Sequence, residues 1–230
     1  MICMAKTKKS EEYGIDSIKA LKGLEAVRAR PAMYLGDPTD GAALPHCVEE
    51  VVANCIDEHL AGHCSTVLVE LLPEGVCRVT DDGRGIPVGP HPVEKIDALQ
   101  LVLCTTHAGG KFDRESYKTS AGLHGIGVSA VNAVSAYCVA SVFRDGLHHE
   151  QRYAKGIPTT PVTKVGKTKY RGTTIEWQRD LTIFSGVTEY DRKLITERLQ
   201  ELCFLNPGTT IALERFDRLD GVVLQALEHD

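Results

Sequence analysis

Leu44-Pro45-His46-Cys47-Val48-Glu49-Glu50-Val51-Val52-Ala53-Asn54-Cys55-Ile56-Asp57-Glu58-His59-Leu60 is the stretch on which the reading of the whole chain turns. Val48, Val51, Val52, Cys55, Ile56 and Leu60 recur at helical spacing and predict a helix with one buried stripe. The 3.6-residue period sets Glu50, Asn54, Asp57 and Glu58 on the side opposite that stripe, with Glu50 and Asn54 one turn apart. Spacing alone favours a solvated outer face for these four, because charged outer faces are the rule. The alternative is a carboxylate and an amide oxygen projecting together into a site. An asparagine in mid-helix is a mild propensity fault, which tilts slightly toward that alternative.

Downstream, residues Thr66 to Leu72 and Val76 to Thr80 are rich in β-branched and apolar side chains and flank Pro73-Glu74-Gly75, a hairpin pattern. A helix is expected from Ile96 to Cys104 and another from Val128 to Ala136. Strands are expected at Tyr137 to Phe143, His149 to Tyr153 and Thr173 to Trp177, then a helix at Tyr190 to Leu202 and a strand at Thr209 to Arg215. Upstream, the first dozen residues are polar, and a short helix from Ile18 to Arg28 is expected to stop at Pro31. Helices and strands mix without a regular βαβ alternation. The fold class is therefore α+β, a two-layer α/β sandwich with a mixed sheet rather than a doubly wound one. No internal repeat is present.

Two further segments carry chemistry. Val79-Thr80-Asp81-Asp82-Gly83-Arg84-Gly85-Ile86-Pro87 runs from a strand end into a tight turn. Asp81 at that strand edge can accept a hydrogen bond from an amino group such as that of adenine, while Gly83 and Gly85 let a flat ring approach the backbone; a plain Asp-Gly turn is the bland reading. The glycine-rich stretch from Thr105 to Gly127 is too long for a connector and opens into a helix near Val128. Glycine amides at a helix start favour phosphate, and Lys111 and Lys118 can add positive charge. The order Gly122-x-x-Gly125-x-Gly127 is neither a Rossmann turn nor a P-loop.

Composition removes several function classes. The 230 residues carry a formal charge of −5, so the bulk surface offers no basic face, and a polyanionic partner would have to be held elsewhere. Eight cysteines without a CxxC pair read as buried thiols of a reducing cytosol, and no apolar segment is long enough for a signal peptide or membrane span. A soluble cytoplasmic protein is expected. Cys55, His59, His63 and Cys64 crowd together, but zinc sites usually draw paired CxxC or HxxxH ligands from two elements. Core thiols and surface histidines suffice.

Glu50-x-x-x-Asn54, Asp81-x-Gly83-x-Gly85 and the Gly122 to Gly127 loop, in that order, resemble the Bergerat-fold (GHKL) ATPases of type II topoisomerases, heat-shock chaperones, mismatch-repair ATPases and sensor histidine kinases. The stretches LKGLEAVRARPAMYLGD, IDEHLAGH, DDGRGIPVGPHP, HAGGKFDRESYK and GLHGIGVSAVNAVS resemble the DNA gyrase B family within that superfamily, with the ATPase subunit of topoisomerase IV next. The resemblance runs from about Tyr13 to about Phe216. It implies a mainly antiparallel mixed sheet with a glycine-rich ATP lid, and ATP and Mg²⁺ as cofactors. Three parts follow from it: a dimerisation arm at 1–14, an ATPase domain at 15–216 and an unmatched tail at 217–230.

By resemblance, Glu50 is the general base and Asn54 the Mg²⁺ ligand. Asp81 reads the adenine amino group, with Thr173 as its helper through water. Arg84 and Pro87 line the pocket mouth, Gly83, Gly85 and Ile86 belong to the nucleotide-binding set, and Glu58 and Arg144 also fall on matched positions. Lys111, Tyr117, Lys118 and the run Gly122, Leu123, His124, Gly125, Ile126, Gly127 and Val128 belong to the lid, and Tyr13 crosses to the partner's nucleotide. The resemblance further implies a homodimer through the arm, gyrase A as partner, DNA held only by domains outside this chain, no membrane, and coumarin-type inhibitors competing at the site. Departures are Ala53 for Asp, and Ala32 and Ala121 for Gly. They keep open a non-catalytic nucleotide-binding paralogue, and a fragment of the topoisomerase IV ATPase subunit is the third reading.

Overall fold

Alternating burial along Thr66–Leu72 puts Val67, Val69 and Leu71 against the core, and the same period recurs along Gly172–Arg179 and most of Ser135–Arg144. A computed structural model describes residues 21, 23–106, 127–187 and 189–215 of the chain. In chain order the elements are α1 (Leu24–Ala29), α2 (Ala32–Leu35), α3 (Ala43–Leu60), β1 (Thr66–Leu72), β2 (Val76–Asp81), α4 (Ala98–Cys104) and α5 (Gly127–Ala133). They continue with β3 (Ser135–Arg144), β4 (Leu147–Ala154), β5 (Ile157–Pro158), β6 (Thr163–Lys167), β7 (Gly172–Arg179), α6 (Arg192–Leu205) and β8 (Thr210–Arg215).

Among the described residues the strands form one eight-stranded sheet in the order β5-β4-β3-β7-β2-β1-β8, with β6 pairing β4. Only the β1–β8 pairing is parallel; the others are antiparallel. The helices cover one face, where Val48, Val52 and Ile56 of α3 and Val131 of α5 are fully buried against sheet residues such as Val79, Ala140 and Trp177. Burying each such valine or isoleucine contributes about 1.5–3 kcal/mol. The result is the expected two-layer α+β sandwich.

Local chemistry sets several boundaries. Asp97 caps α4 by accepting the Leu99 N–H, which moves its start two residues beyond Ile96, and Asp191 caps α6 through Leu194 N–H. The helix expected to stop at Pro31 ends at Ala29, and Pro31 instead opens α2, as its fixed φ allows. The part of that expected helix before residue 21 lies outside the described residues. β5 and β6 were not foreseen, because Ile157-Pro158 is too short and Thr163-Lys-Val-Gly-Lys167 too polar to show alternation.

One expectation is corrected. Asp57 does not lie on an outer face with Glu50, Asn54 and Glu58, because it is 2% exposed. α3 packs against α2, α5, α6 and β2 at once, so a central helix loses more of its surface than its apolar stripe alone would cover.

Candidate active site

Glu50, Asn54 and Glu58 lie along α3, each half-buried, facing the turn that follows β2 and the start of α5. Asp81 is the last residue of β2. Its Oδ1 accepts the N–H of Gly83 at 2.8 Å and of Thr173 at 3.2 Å, and the Cys55 thiol lies 3.8 Å from Oδ2. Burial pushes the Asp81 carboxyl up to about 6 in spite of those two amide bonds, and the nearby Glu58 charge adds to the rise. Both amide bonds converge on Oδ1, so Oδ2, with the weak thiol contact of Cys55, keeps acceptor capacity.

The neighbouring Asp82 shows the opposite chemistry. Its burial would raise the pKa, but the Ser65 hydroxyl and amide and the Thr66 amide bind its two oxygens at 2.6–3.0 Å and hold it at about 2. Asp82 fastens the start of β1, whereas Asp81 faces the site. Two adjacent carboxyls therefore sit in opposite environments, one held ionised by hydrogen bonds and the other raised by burial.

The turn itself is held from three directions. The Arg84 amide and Nε both donate to Glu58 Oε1, at 2.9 and 2.7 Å, and Nη2 reaches Oε2 at 3.0 Å, a two-pronged pair. Thr173 Oγ1 accepts the Ile86 N–H at 3.3 Å, and Arg144 Nη1 donates to the Gly85 carbonyl at 2.8 Å. Gly172 precedes Thr173 with φ 135°, and any Cβ there would overlap the Asp81 carbonyl oxygen. Strand β7 can approach the turn this closely only because residue 172 has no side chain.

At the other end of α3, His46 Nε2 lies 3.2 Å from Glu50 Oε1 while its Nδ1 lies 3.1 Å from the Leu35 carbonyl oxygen. A carbonyl oxygen only accepts, so both bonds together require the imidazolium; the Glu50 hydrogen bond raises the His46 pKa accordingly. Asn54 Nδ2 donates to the Glu50 carbonyl at 3.2 Å, which fixes the amide and assigns Oδ1 the acceptor role. A Cβ added at Gly127, where α5 begins, would overlap the Glu50 carboxylate. Glu50 thus sits against the start of a helix, where backbone N–H groups favour anions.

Residues 39–181 match the family described as histidine kinase-, DNA gyrase B-, and HSP90-like ATPase. The chain belongs to this ATPase family. It is 52% identical over 207 residues to the DNA gyrase B protein of Treponema denticola, covering 90% of this chain and 32% of that protein. Against DNA gyrase B of Campylobacter jejuni it is 52% identical over 201 residues, covering 87% and 26%, and against that of Thermotoga maritima 49% over 211, covering 92% and 32%. The chain spans about a quarter to a third of the length of these relatives.

The structure brings Glu50, Asn54, Glu58, Asp81, Gly83, Arg84, Gly85, Ile86, Thr173, Arg144 and Gly127 around one region, with Pro87 exposed at its rim and Val128 packed on the core beside it. Tyr13, Lys111, Tyr117, Lys118, Gly122, Leu123, His124, Gly125 and Ile126 lie outside the described residues, as do Ala121, residues 1–14 and the tail 217–230. His46 and Gly172 were missed by sequence reasoning. His46 stands one helical turn before Glu50, a spacing that could have flagged the pair; nothing local marks Gly172, whose neighbour is 91 residues away in sequence.

Among the described residues no group of three histidine, cysteine or acidic side chains is arranged to hold a metal ion. His59 instead approaches the carbonyls of Cys64 and Pro207, at 2.8 and 3.3 Å. Cys55 and Cys64 are buried thiols, and burial pushes the Cys64 pKa up to about 12. Among the described residues no helix is long and apolar enough to cross a membrane.

Proposed function

We propose that this chain binds Mg·ATP along α3 and hydrolyses it, as the ATPase domain of a type II topoisomerase of the DNA gyrase B kind. The observation that carries the reading is the Glu50–His46 pair, set against the start of α5 and placed on the same helix as the Asp81-facing Glu58. Eight residues of α3 separate Glu50 from Glu58, about 12 Å at 1.5 Å per residue, a span suited to a nucleotide lying between the β2 turn and α5.

In this reading Asp81 Oδ2 accepts the adenine amino group, and Thr173 supports it. Glu50 takes the proton of the attacking water, since phosphoryl transfer asks the protein chiefly for positioning and charge stabilisation. His46 is a positioning residue, which aims one Glu50 oxygen and leaves the other to the water. The donor set suits a hard cation: the fixed Asn54 amide presents an uncharged oxygen, which Mg²⁺ accepts alongside phosphate oxygens and water. When bound, the ion neutralises phosphate charge.

Beyond the chain, the gyrase B relatives support dimer-gate closure driven by nucleotide, coupling to DNA strand passage and supercoiling, and gyrase A as partner. They favour gyrase over a topoisomerase IV origin, and the His46–Glu50 pair argues against a module that only holds nucleotide. The test compares Glu50→Ala with the parent chain by calorimetric titration of ATP and by phosphate release. Binding should persist while turnover falls by 10²-fold or more. Unchanged turnover would remove Glu50 as base, and failure of the parent chain to bind ATP would end the reading altogether.

A further inference from the structure

The overall charge hides a local one. Between residues 144 and 171 the chain has seven lysines and arginines against two acids, net +5, although the whole chain carries 26 against 31; the remainder is therefore −10. The two acids of this segment are engaged: Glu150 Oε1 lies 2.8 Å from Arg152 and Asp145 Oδ2 3.4 Å from Arg144. Lys164, Lys167 and Lys169 are exposed and make no ion pair among the described residues.

The register of β6 aligns two of these charges. His148 faces Gly166, whereas His149 faces Lys164, so Val165 is an extra residue in the ladder. Lys167 faces Leu147 and Lys164 faces His149, two residues apart on β4 and hence on one face, about 7 Å from each other along the strand. The following turn is tied down: Thr168 N–H donates to Gly146 O and Tyr170 N–H to Thr168 Oγ1, both at 3.0 Å, and the Arg171 guanidinium rests on the carbonyls of His63 and Asp82. Tyr170 is nonetheless 81% exposed.

We infer that the β6 edge and the turn through Tyr170 form a DNA-backbone contact surface, with Lys164, Lys167 and Lys169 on phosphates and Tyr170 against the sugar or an exposed base. The choice of DNA as the polyanion rests on the topoisomerase reading above. Lysines on an edge strand also deter strand pairing between molecules, but that role needs neither an anchored, exposed tyrosine nor a net charge of +5. Unpaired cations interleaved with an aromatic are the composition that nucleic-acid phosphates and bases select.

The experiment uses the full 230-residue chain, a fluorescein-labelled 20-base-pair duplex and anisotropy titrations at 50 and 200 mM KCl, without nucleotide. Three phosphate contacts give a log–log salt slope of about −2.7, a loss on the order of 40-fold in affinity across that range. K164Q/K167Q/K169Q should bind at least 10-fold more weakly at 50 mM with a flattened slope, and Y170A should weaken binding with the slope retained. K193Q, at an exposed position of α6, should match the parent. Parent-like binding by the triple variant overturns the inference, as does a change confined to its aggregation onset, or competition by polyglutamate as effective as by unlabelled duplex. Calorimetric ATP binding in the same samples separates the two readings: a chain that binds ATP but not DNA refutes this surface alone.

Discussion

Asp81→Asn tests whether the site stores instability for the sake of recognition. Burial holds the Asp81 carboxyl at about 6 against an ordinary value of 3.8, so the folded chain disfavours the ionised form. The folded pKa is raised, so the stability from this group is fully present below pH 3.8 and is lost as pH rises through about 6. At pH 7.5 the shift of roughly two units corresponds to about 3 kcal/mol of penalty, and at pH 5 to about half that. An asparagine keeps Oδ1 as acceptor for Gly83 and Thr173 while removing the charge. Its own amide desolvation offsets part of the gain, leaving on the order of 1–2 kcal/mol, or about 3–6 °C in Tm for a chain of this size. The variant should therefore melt higher than the parent at pH 7.5, with the gap narrowing by pH 5. It should also lose ATP, because Nδ2 turns a donor toward the adenine amino group. Scanning calorimetry at both pH values and ATP titration read the two effects. A variant that melts lower than the parent, or a gap independent of pH, would refute the burial argument; retained ATP affinity would refute the adenine contact.

Other perturbations have equally definite outcomes. His46→Ala should lower kcat with little change in nucleotide affinity; because the His46 pKa is raised by Glu50, the stability difference from the parent should be full below the ordinary histidine range and shrink as pH rises above it, visible in denaturant melts from pH 6 to 9. Gly172→Ala forces a Cβ into the Asp81 carbonyl at φ 135° and should destabilise by more than 2 kcal/mol in urea titration, with ATP affinity falling in parallel; a neutral result would show that β7 can retreat from the turn. Arg28→Ala strips the 2.7 Å partner from Asp180, whose side chain is 4% exposed, and should cost about 3 kcal/mol, whereas Arg28→Ala with Asp180→Asn should recover part of it.

The chain's local pattern was enough to place most of this architecture. The valine stripe placed α3 and the β-branched runs around Pro73-Glu74-Gly75 placed the β1–β2 hairpin, whereas a common site for Glu50, Asn54 and Asp81 was an expectation drawn from the resemblance of the ordered motifs to the ATPase family. Period and turn chemistry act between residues close in sequence, so they are legible there. The expected outer face of α3 failed at Asp57, because how many neighbours surround a helix is a tertiary quantity.

Tertiary structure alone decided which atoms face which. Asp81 and Asp82 are adjacent in sequence, but hydrogen bonds from Ser65 and Thr66 hold one carboxyl at about 2, whereas burial lifts its neighbour to about 6 against the amide bonds of Gly83 and Thr173. Likewise, the −5 of the composition says nothing of a +5 segment, and only the bulge at Val165 puts Lys164 and Lys167 on one face. Sequence determined the elements and the chemical types in the site, through forces acting within a turn or two of backbone. Long-range packing determined desolvation and hydrogen-bond partners, and these set what each carboxylate and each lysine can do.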